Sequence, residues 1–294
     1  IIEAGAGKGY LLIFEPEQLR IERIRTELKP VTRVRQVFFF PSLDSTNRKA
    51  YDLALEGAPE GTIILAEEQS AGRGRLGRSW SSLAYHGLWL SALLRPANMT
   101  PGKMAPFTAA AAAIMAAVLR KVSGLPVSVK WPNDLLINDR KLGGILAEAK
   151  SEPEHIHFMI LGIGININHK VHDFPAELAG KATSLRIEGK RLFDREAICV
   201  AIIKELEAGY DLFLRSGFSA FLELWRELDI MPGKEISVKF GAKTIHGTAV
   251  DIDKDGALIV KDSAGRLKRF SYGEIEHLKT GLSPSGMGKE ETQP

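Results

Sequence analysis

Two short segments of this chain concentrate groups that could act on phosphate or carboxylate. Residues 72–78 read Gly-Arg-Gly-Arg-Leu-Gly-Arg, so Gly72, Gly74 and Gly77 are interleaved with Arg73, Arg75 and Arg78. Glycines keep backbone amides accessible, and guanidinium forks match planar oxyanions. From Arg78 to Asn133 the sequence contains no Asp or Glu, so nothing local neutralises that charge. The spacing also satisfies G-x-G-x-x-G, but a dinucleotide site needs a following helix and an acid about 20 residues on. Ser79-Trp80-Ser81-Ser82 opens no helix, which excludes that reading and leaves a phosphate-binding loop or a solvated basic one. The second segment is Lys130-Trp131-Pro132-Asn133-Asp134. Pro132 restricts Trp131 to extended geometry and so places Lys130 at a rigid strand end, either paired with Asp134 or held as a fixed cation.

Other combinations carry less. Asp251, Asp253, Asp255, Gly256 and Asp262 imitate a calcium loop, yet their flanks alternate like strands and the last ligand is Asp where Glu is usual. Asp255-Gly256 therefore reads as a hairpin turn. His155 and His157 fall on one side of a strand with no third ligand, so no metal site is assigned. Cys199 lies in an apolar helical pattern without a base nearby in sequence and reads as a packed thiol.

The elements that must position these residues follow from periodicity and punctuation. Residues 1–13, with Gly5, Gly7 and Gly9 before Tyr10-Leu11-Leu12-Ile13, read as a loop running into a short strand, and Pro16 opens a short Arg-rich helix ending before Pro30. Strands are expected at 37–40, 62–66 and 86–94, with a helix between Ser45 and Gly57. Thr100-Pro101 caps one helix that runs through the alanines to Gly124. Strands at 135–137 and 144–149 flank a turn at 138–141, and 157–167 reads as a buried strand. Asp194 caps a long helix ending near Gly217, and a second helix reaches about Leu228. After Pro232-Gly233 the period changes from helical to alternating, as short strands of a small barrel require.

Composition narrows the class. A formal charge of +3 is too small to mark a nucleic-acid binder, so basic function must be local. One cysteine permits no internal disulfide, which fits a reducing cytoplasm. The most apolar stretch, residues 105–119, is shorter than the roughly 20 residues needed to cross a bilayer and reads as a core helix. No signal-peptide pattern is present, and the first residue is Ile1 rather than Met.

Five segments then coincide in order with one family. Asp44-Ser45-Thr46-Asn47, residues 68–75 (Glu-Gln-Ser-Ala-Gly-Arg-Gly-Arg), Lys130-Trp131-Pro132-Asn133-Asp134, Lys141-Leu142-Gly143-Gly144-Ile145 and Gly162-Ile163-Gly164-Ile165-Asn166 together resemble the bacterial biotin protein ligases over roughly residues 35–280. The resemblance implies an α+β fold in which a mixed β-sheet catalytic domain flanked by helices precedes a small SH3-like β-barrel. The corresponding expected boundaries are a wing remnant and helical connector at 1–34, the biotin- and ATP-binding domain at 35–231, the barrel at 232–280 and a disordered tail at 281–294.

The implied reaction joins biotin and ATP, with Mg2+ carried on the nucleotide, into biotinyl-5'-AMP. Biotin is then transferred to a lysine of a biotin carboxyl carrier protein. By the same resemblance Ser45, Thr46, Asn47 and Gln69 contact biotin, and Lys130, Arg73 and Arg75 supply the catalytic positive charge. Gly72, Gly74 and Trp80 belong to the covering loop, Gly144 lies near biotin, and Asn166 lies near the nucleotide; no metal ligand of the protein is implied. A cytoplasmic location is expected, with no membrane partner, and a homodimer is left open. Many members carry an N-terminal winged-helix DNA-binding domain, and residues 5–13 look like its last wing strand, so the chain as given is expected to biotinylate without binding an operator specifically. Two other readings stay in view: a lipoate or octanoate ligase or transferase of the same architecture, and a noncatalytic module that binds a phosphate backbone.

Overall fold

The computed structural model describes residues 2–5, 9–12, 18–29, 33–241 and 243–279. The expected helix start at Pro16 and the expected disordered tail at 281–294 lie outside them. The elements in chain order are β1 (Ile2–Gly5), β2 (Gly9–Leu12), α1 (Ile21–Leu28), β3 (Gln36–Leu43), α2 (Thr46–Leu55), β4 (Thr62–Gln69), β5 (Gly87–Leu94), α3 (Pro101–Met104) and α4 (Phe107–Ser123). They continue as β6 (Ser128–Lys130), β7 (Asp134–Ile137), β8 (Arg140–Glu152), β9 (His155–Asn166), α5 (Leu185–Gly189), α6 (Arg195–Ser216), α7 (Leu222–Leu228), β10 (Glu235–Phe240), β11 (Lys243–Ile252), β12 (Leu258–Asp262), β13 (Leu267–Phe270) and β14 (Glu274–Lys279).

The chain divides into two units, one of residues 1–230 with 254–256, the other of 231–253 with 257–294. The first is built on a seven-stranded mixed sheet in the order β3-β4-β5-β9-β8-β7-β6, with β3 and β4 parallel and the other neighbours antiparallel. One face is covered by α2, whose Ala50 and Ala54 pack with Ile64, Leu93, Phe158 and Ile160. The packing of α4 and α6 on each other is close: Gly209 of α6 has no side chain where Ile114 of α4 lies, and a Cβ there would collide with it. Helix α4 also contacts β6, β7 and β8 and buries its alanine run, as a core helix should. In the second unit all five strands are antiparallel, ordered β13-β12-β11-β10-β14, around Val238, Ala249, Ile252, Leu258, Val260 and Phe270.

Where the structure departs from the expectations above, the reason is local. Residues 2–5 form a strand paired with β2 from Ile2↔Leu12 to Gly5↔Gly9, because cross-strand hydrogen bonding satisfies backbone that composition alone marks as loop. The helix expected from Thr100 to Gly124 is two, α3 and α4, since Pro106 has no N–H to continue the first and its ring opposes the preceding turn. Strand β8 begins at Arg140 because the turn is only Asn138-Asp139, both with left-handed φ of 51° and 59°, the conformation of a tight two-residue hairpin. Strand β14 has no counterpart among the expected elements.

A buried charge cluster ties α1 to the sheet. Glu67 on β4 accepts hydrogen bonds from the Leu19 and Tyr85 amides and forms an ion pair with Arg195 at the start of α6, Nη1 to Oε2 2.9 Å. Beside it, Glu196 receives the Arg20 amide and guanidinium and Arg23 Nη1 at 2.8 Å. Burial opposes ionisation of Glu196, but these donors outweigh it and hold its carboxyl below the usual range.

Candidate active site

The register places two of the expected site residues, Lys130 and Gly144, in one row on one sheet face. Lys130, Asp134, Gly144, Gly164, Trp89 and Ala66 are consecutive cross-strand partners from β6 through β4. The next row on that face contains Leu146, Gly162, Ser91 and Ile64. Directly paired residues share a face, and residues two apart along a strand return to it. A Cβ on Gly164 would lie 2.7 Å from Trp80 Nε1, and one on Gly143 would lie 2.7 Å from the Gly164 carbonyl. The glycines of β8 and β9 thus let a large side chain or a flat ligand lie directly on backbone.

The N-terminus of α2 supplies a buried hydrogen-bonding row. Ser45 is its N-cap, accepting from the Arg48 amide. Thr46 donates its amide to Gln69 Oε1 at 2.8 Å, and the Thr46 hydroxyl lies 3.1 Å from the same oxygen. Gln69 Nε2 donates to Ser82 Oγ at 2.7 Å, joining the row to the excursion from Gln69 to Ser82. That excursion folds back on itself through Trp80 N to the Gly72 carbonyl and Gly74 N to the Arg78 carbonyl. A Cβ at Gly72 would sit 2.5 Å from the Trp80 carbonyl, so the close crossing needs glycine. At its tip Leu76 has φ 56° and is 73% exposed. A left-handed leucine is strained by roughly 1–2 kcal/mol.

Among the expected cations, Arg75 donates from Nη1 to Asn133 Oδ1 at 3.2 Å, and Arg73 is bridged to Ser79. Lys130 is the register partner of Asp134, and Asp134 also forms an ion pair with Lys141, Nζ to Oδ1 2.6 Å. Lys141 also stands 5.4 Å from the centre of the Trp80 ring, with its Nζ 3.7 Å from where a Gly144 Cβ would be. In the sequence Lys141 only opens the Lys141-Leu142-Gly143-Gly144-Ile145 segment, with nothing there to assign it a role. A slip of register between Leu135 and Leu136 brings it to Asp134, and a turn lysine carries no sequence signal of that. The Trp80 indole N–H is buried against Gly164 with no hydrogen-bond partner among the described residues. The remaining motif residue, Asn166, donates to the Thr183 carbonyl at 3.1 Å and so pins the start of the segment after β9 to its end.

Within that segment His169 is buried, stacked on Phe174 at 5.1 Å and facing His86 at 5.5 Å. Burial first, then the charge of His86 and of Arg195, lower its pKa to about 4 against the opposing pull of Asp173. Its folded-state value lies below the unfolded one, so the unfolded chain binds more protons as pH falls through 6.5. About 3 kcal/mol of stability is therefore expected to drain away between pH 6.5 and 4. Urea unfolding at pH 7 and pH 4.5 checks this; His169→Phe should remove most of the difference, and an unchanged difference would assign it elsewhere.

The other sequence-level candidates behave as packing or surface. Cys199 is fully buried and its thiol is pushed up to about 12, too high for a nucleophile. Asp253 receives the Ala257 amide and Arg269, and Asp262 receives Arg266, interactions of turns rather than of a calcium loop. His155 and His157 stack edge to face at 5.0 Å, and among the described residues no group of three side chains could hold a metal.

Residues 39–166 match the model of the biotin/lipoate A/B protein ligase family, and residues 233–278 match the biotin protein ligase C-terminal domain. The bifunctional ligase/repressor BirA of Bacillus subtilis is 35% identical over 275 residues, covering 94% of this chain and 84% of that protein. The chain belongs to the biotin protein ligase family. The biotin–[acetyl-CoA-carboxylase] ligase of Mycobacterium tuberculosis is 32% identical to this biotin protein ligase over 83% of its length and 90% of the relative's. The biotin protein ligase of Aquifex aeolicus in complex with biotin and ATP superposes with a TM-score of 0.73 at 26% identity, covering 84% of this ligase and all of that chain.

Proposed function

We propose that the glycine rows, the α2 row and the Gln69–Ser82 excursion form the site where biotin is activated by ATP. The chain is an ATP-dependent biotin–protein ligase. The observation that carries the assignment of the site is the convergence of a buried polar row, backbone bared by Gly144 and Gly164, the cation Lys141 beside Trp80, and Arg75 bonded to Asn133.

In this reading Ser45, Thr46, Asn47 and Gln69 face the ureido ring, whose polar atoms would otherwise be buried unpaired. Trp80 lies on the backbone bared by Gly164, and Gly144 floors the fused rings beside it. A biotin carboxylate oxygen attacks the α-phosphorus of ATP, the bond to pyrophosphate breaks, and biotinyl-5'-AMP forms. Two anions must approach, so Lys130, Lys141, Arg73 and Arg75 lower the barrier by offsetting their charge; Mg2+ carried on the triphosphate adds to this. Gly72 and Gly74 let the excursion fold over the mixed anhydride and exclude water. Asn166 lies toward the nucleotide. The neutral amine of a lysine on a biotin carboxyl carrier protein then attacks the acyl carbon, AMP leaves with the bonding pair, and the ammonium proton passes to solvent. Because the carrier amine attacks the mixed anhydride directly, no enzyme nucleophile enters.

Incubation with ATP, biotin and a carrier domain is expected to add the mass of one biotinyl group to the carrier, and lipoate in place of biotin to add nothing. Absence of the first product, or equal labelling by lipoate, rejects the reading. Arg75→Gly removes the bond to Asn133 and one of the charges held over the adenylate. It is expected to release the intermediate and raise labelling of bystander lysines at least tenfold, read by mass spectrometry of an added nonsubstrate protein. A variant that labels only the carrier removes Arg75 from retention.

A further inference from the structure

Behind the α2 row two residues that the reaction above does not use, Glu148 and Ser91, join Asn47, Thr46 and Gln69 into one chain of polar groups. Asn47 donates Nδ2 to Glu148 Oε2 at 2.7 Å and to the Leu146 carbonyl at 3.4 Å, while its Oδ1 receives Ser91 Oγ at 2.6 Å. Asn47 is 4% exposed and Ser91 is fully buried, in the middle of the apolar run of β5. Ser91 Oγ also stands 2.8 Å from Thr46 Oγ1, which continues to Gln69. Gly162 lies beneath, and a Cβ there would collide with Asn47 Oδ1. Buried polar groups in a sheet are costly unless each is satisfied, and here each is.

The direction of these bonds is dictated from one end. A carboxylate accepts only, so Glu148 requires the amide edge of Asn47 to be NH2. The carbonyl edge must then accept, and Ser91 gives it its single hydrogen. Ser91 Oγ is left as an acceptor toward Thr46. At the other end Gln69 Nε2 donates to Ser82, which turns Gln69 Oε1 into an acceptor as well. Thr46 has one hydroxyl hydrogen between two acceptors, so the row as a whole holds more lone pairs than hydrogens. Such a row suits a ligand edge that donates.

We propose that Glu148 is a positioning residue that sets the hydrogen-bond polarity of the biotin row through Asn47 and Ser91, so that the row selects the N–H edge of a cyclic urea. The inference rests on the placement of biotin against Thr46 and Gln69. Glu148 itself touches no substrate. Replacing it by glutamine keeps the shape and removes the obligatory acceptor, leaving only the longer 3.4 Å bond to the Leu146 carbonyl to hold the Asn47 amide; once that amide reverses, Ser91 donates toward Thr46 and fills an acceptor the ligand needs.

The test compares the full chain with Glu148→Gln, Ser91→Ala and the double variant, measuring KM for biotin, KM for ATP and the preference for biotin over biotin methylated at a ring nitrogen. Each single variant is expected to raise KM for biotin about tenfold or more, leave KM for ATP unchanged and cut the preference by a similar factor. The double variant should be no worse than either single one, because both break one relay. Thermal melting of each variant shows that the fold persists. If Glu148→Gln keeps the parent KM and preference, or if the two effects multiply, the relay is refuted. Thr46→Val and Gln69→Ala separate the levels: should they raise KM for biotin while Glu148→Gln does not, only the relay fails; should all of them leave it unchanged, biotin lies elsewhere and the inference falls with that placement.

Discussion

Replacement of Lys141 by alanine is expected to slow biotinyl-adenylate formation by about 100-fold or more, the loss found when one preorganised charge facing a transition state is removed. Lys141 is 38% exposed and Asp134 23%, so their 2.6 Å pair is reachable by a ligand rather than sealed. The pair holds the ammonium beside Trp80 and above Gly144 before the nucleotide arrives, so its position need not be organised during the reaction. Arginine is larger and planar and should not restore the rate, because a point charge is what that corner admits. Lys130→Ala is expected to lose a comparable factor on the sequence argument that fixes it at the end of β6. Single-turnover release of pyrophosphate measures both. A Lys141→Ala enzyme with parental single-turnover rate would remove that lysine from the chemistry, and the same outcome at Lys130 would leave Lys141 as the principal cation.

The second large effect concerns stability. Arg195 and Glu67 are 6% and 2% exposed in their side chains, and Arg195 reaches the carboxylate with both terminal nitrogens, at 2.9 and 3.2 Å. Removing the arginine alone leaves a carboxylate sealed from water, which typically costs about 3–5 kcal/mol. For a unit of this size Arg195→Ala should lower Tm by about 10 °C. Adding Glu67→Gln to the same chain removes the lone charge and should recover a substantial part, whereas independent contributions would make the double variant worse. Scanning calorimetry distinguishes the two; a fall of less than about 2 °C for Arg195→Ala would mean that water reaches the pair.

The sequence made the parts of this site legible unevenly. Ser45, Asp194 and Thr100 were readable as caps because a short polar side chain before an apolar period has one dominant use. The arginine–glycine segment and Lys130 stood out by charge in a long stretch free of acids. What was hidden depends on register: Lys141 meets Asp134 only through the slip between Leu135 and Leu136, and Glu148 meets Asn47 across 101 residues of chain. Ser91 gave a faint signal as the single polar residue within the apolar run of β5, yet a hydroxyl in a strand has many partners in principle. Pro106 was in plain view, and the helix still read as continuous because the alanines on its far side dominate any periodicity count.

The clamp on Leu19 and Arg20 also makes the ligase a mechanical object. Tension applied to the chain ahead of residue 18 passes first to the Glu67 and Glu196 carboxylates, which hold the Leu19 and Arg20 amides, and Glu67 lies on the same strand as Gln69, two residues away. A load at that end is therefore delivered to β4 two residues from Gln69, and is shared from there with the paired strands β3 and β5 and, through Arg195, with α6. A tether or surface attachment placed there loads the strand that carries Gln69.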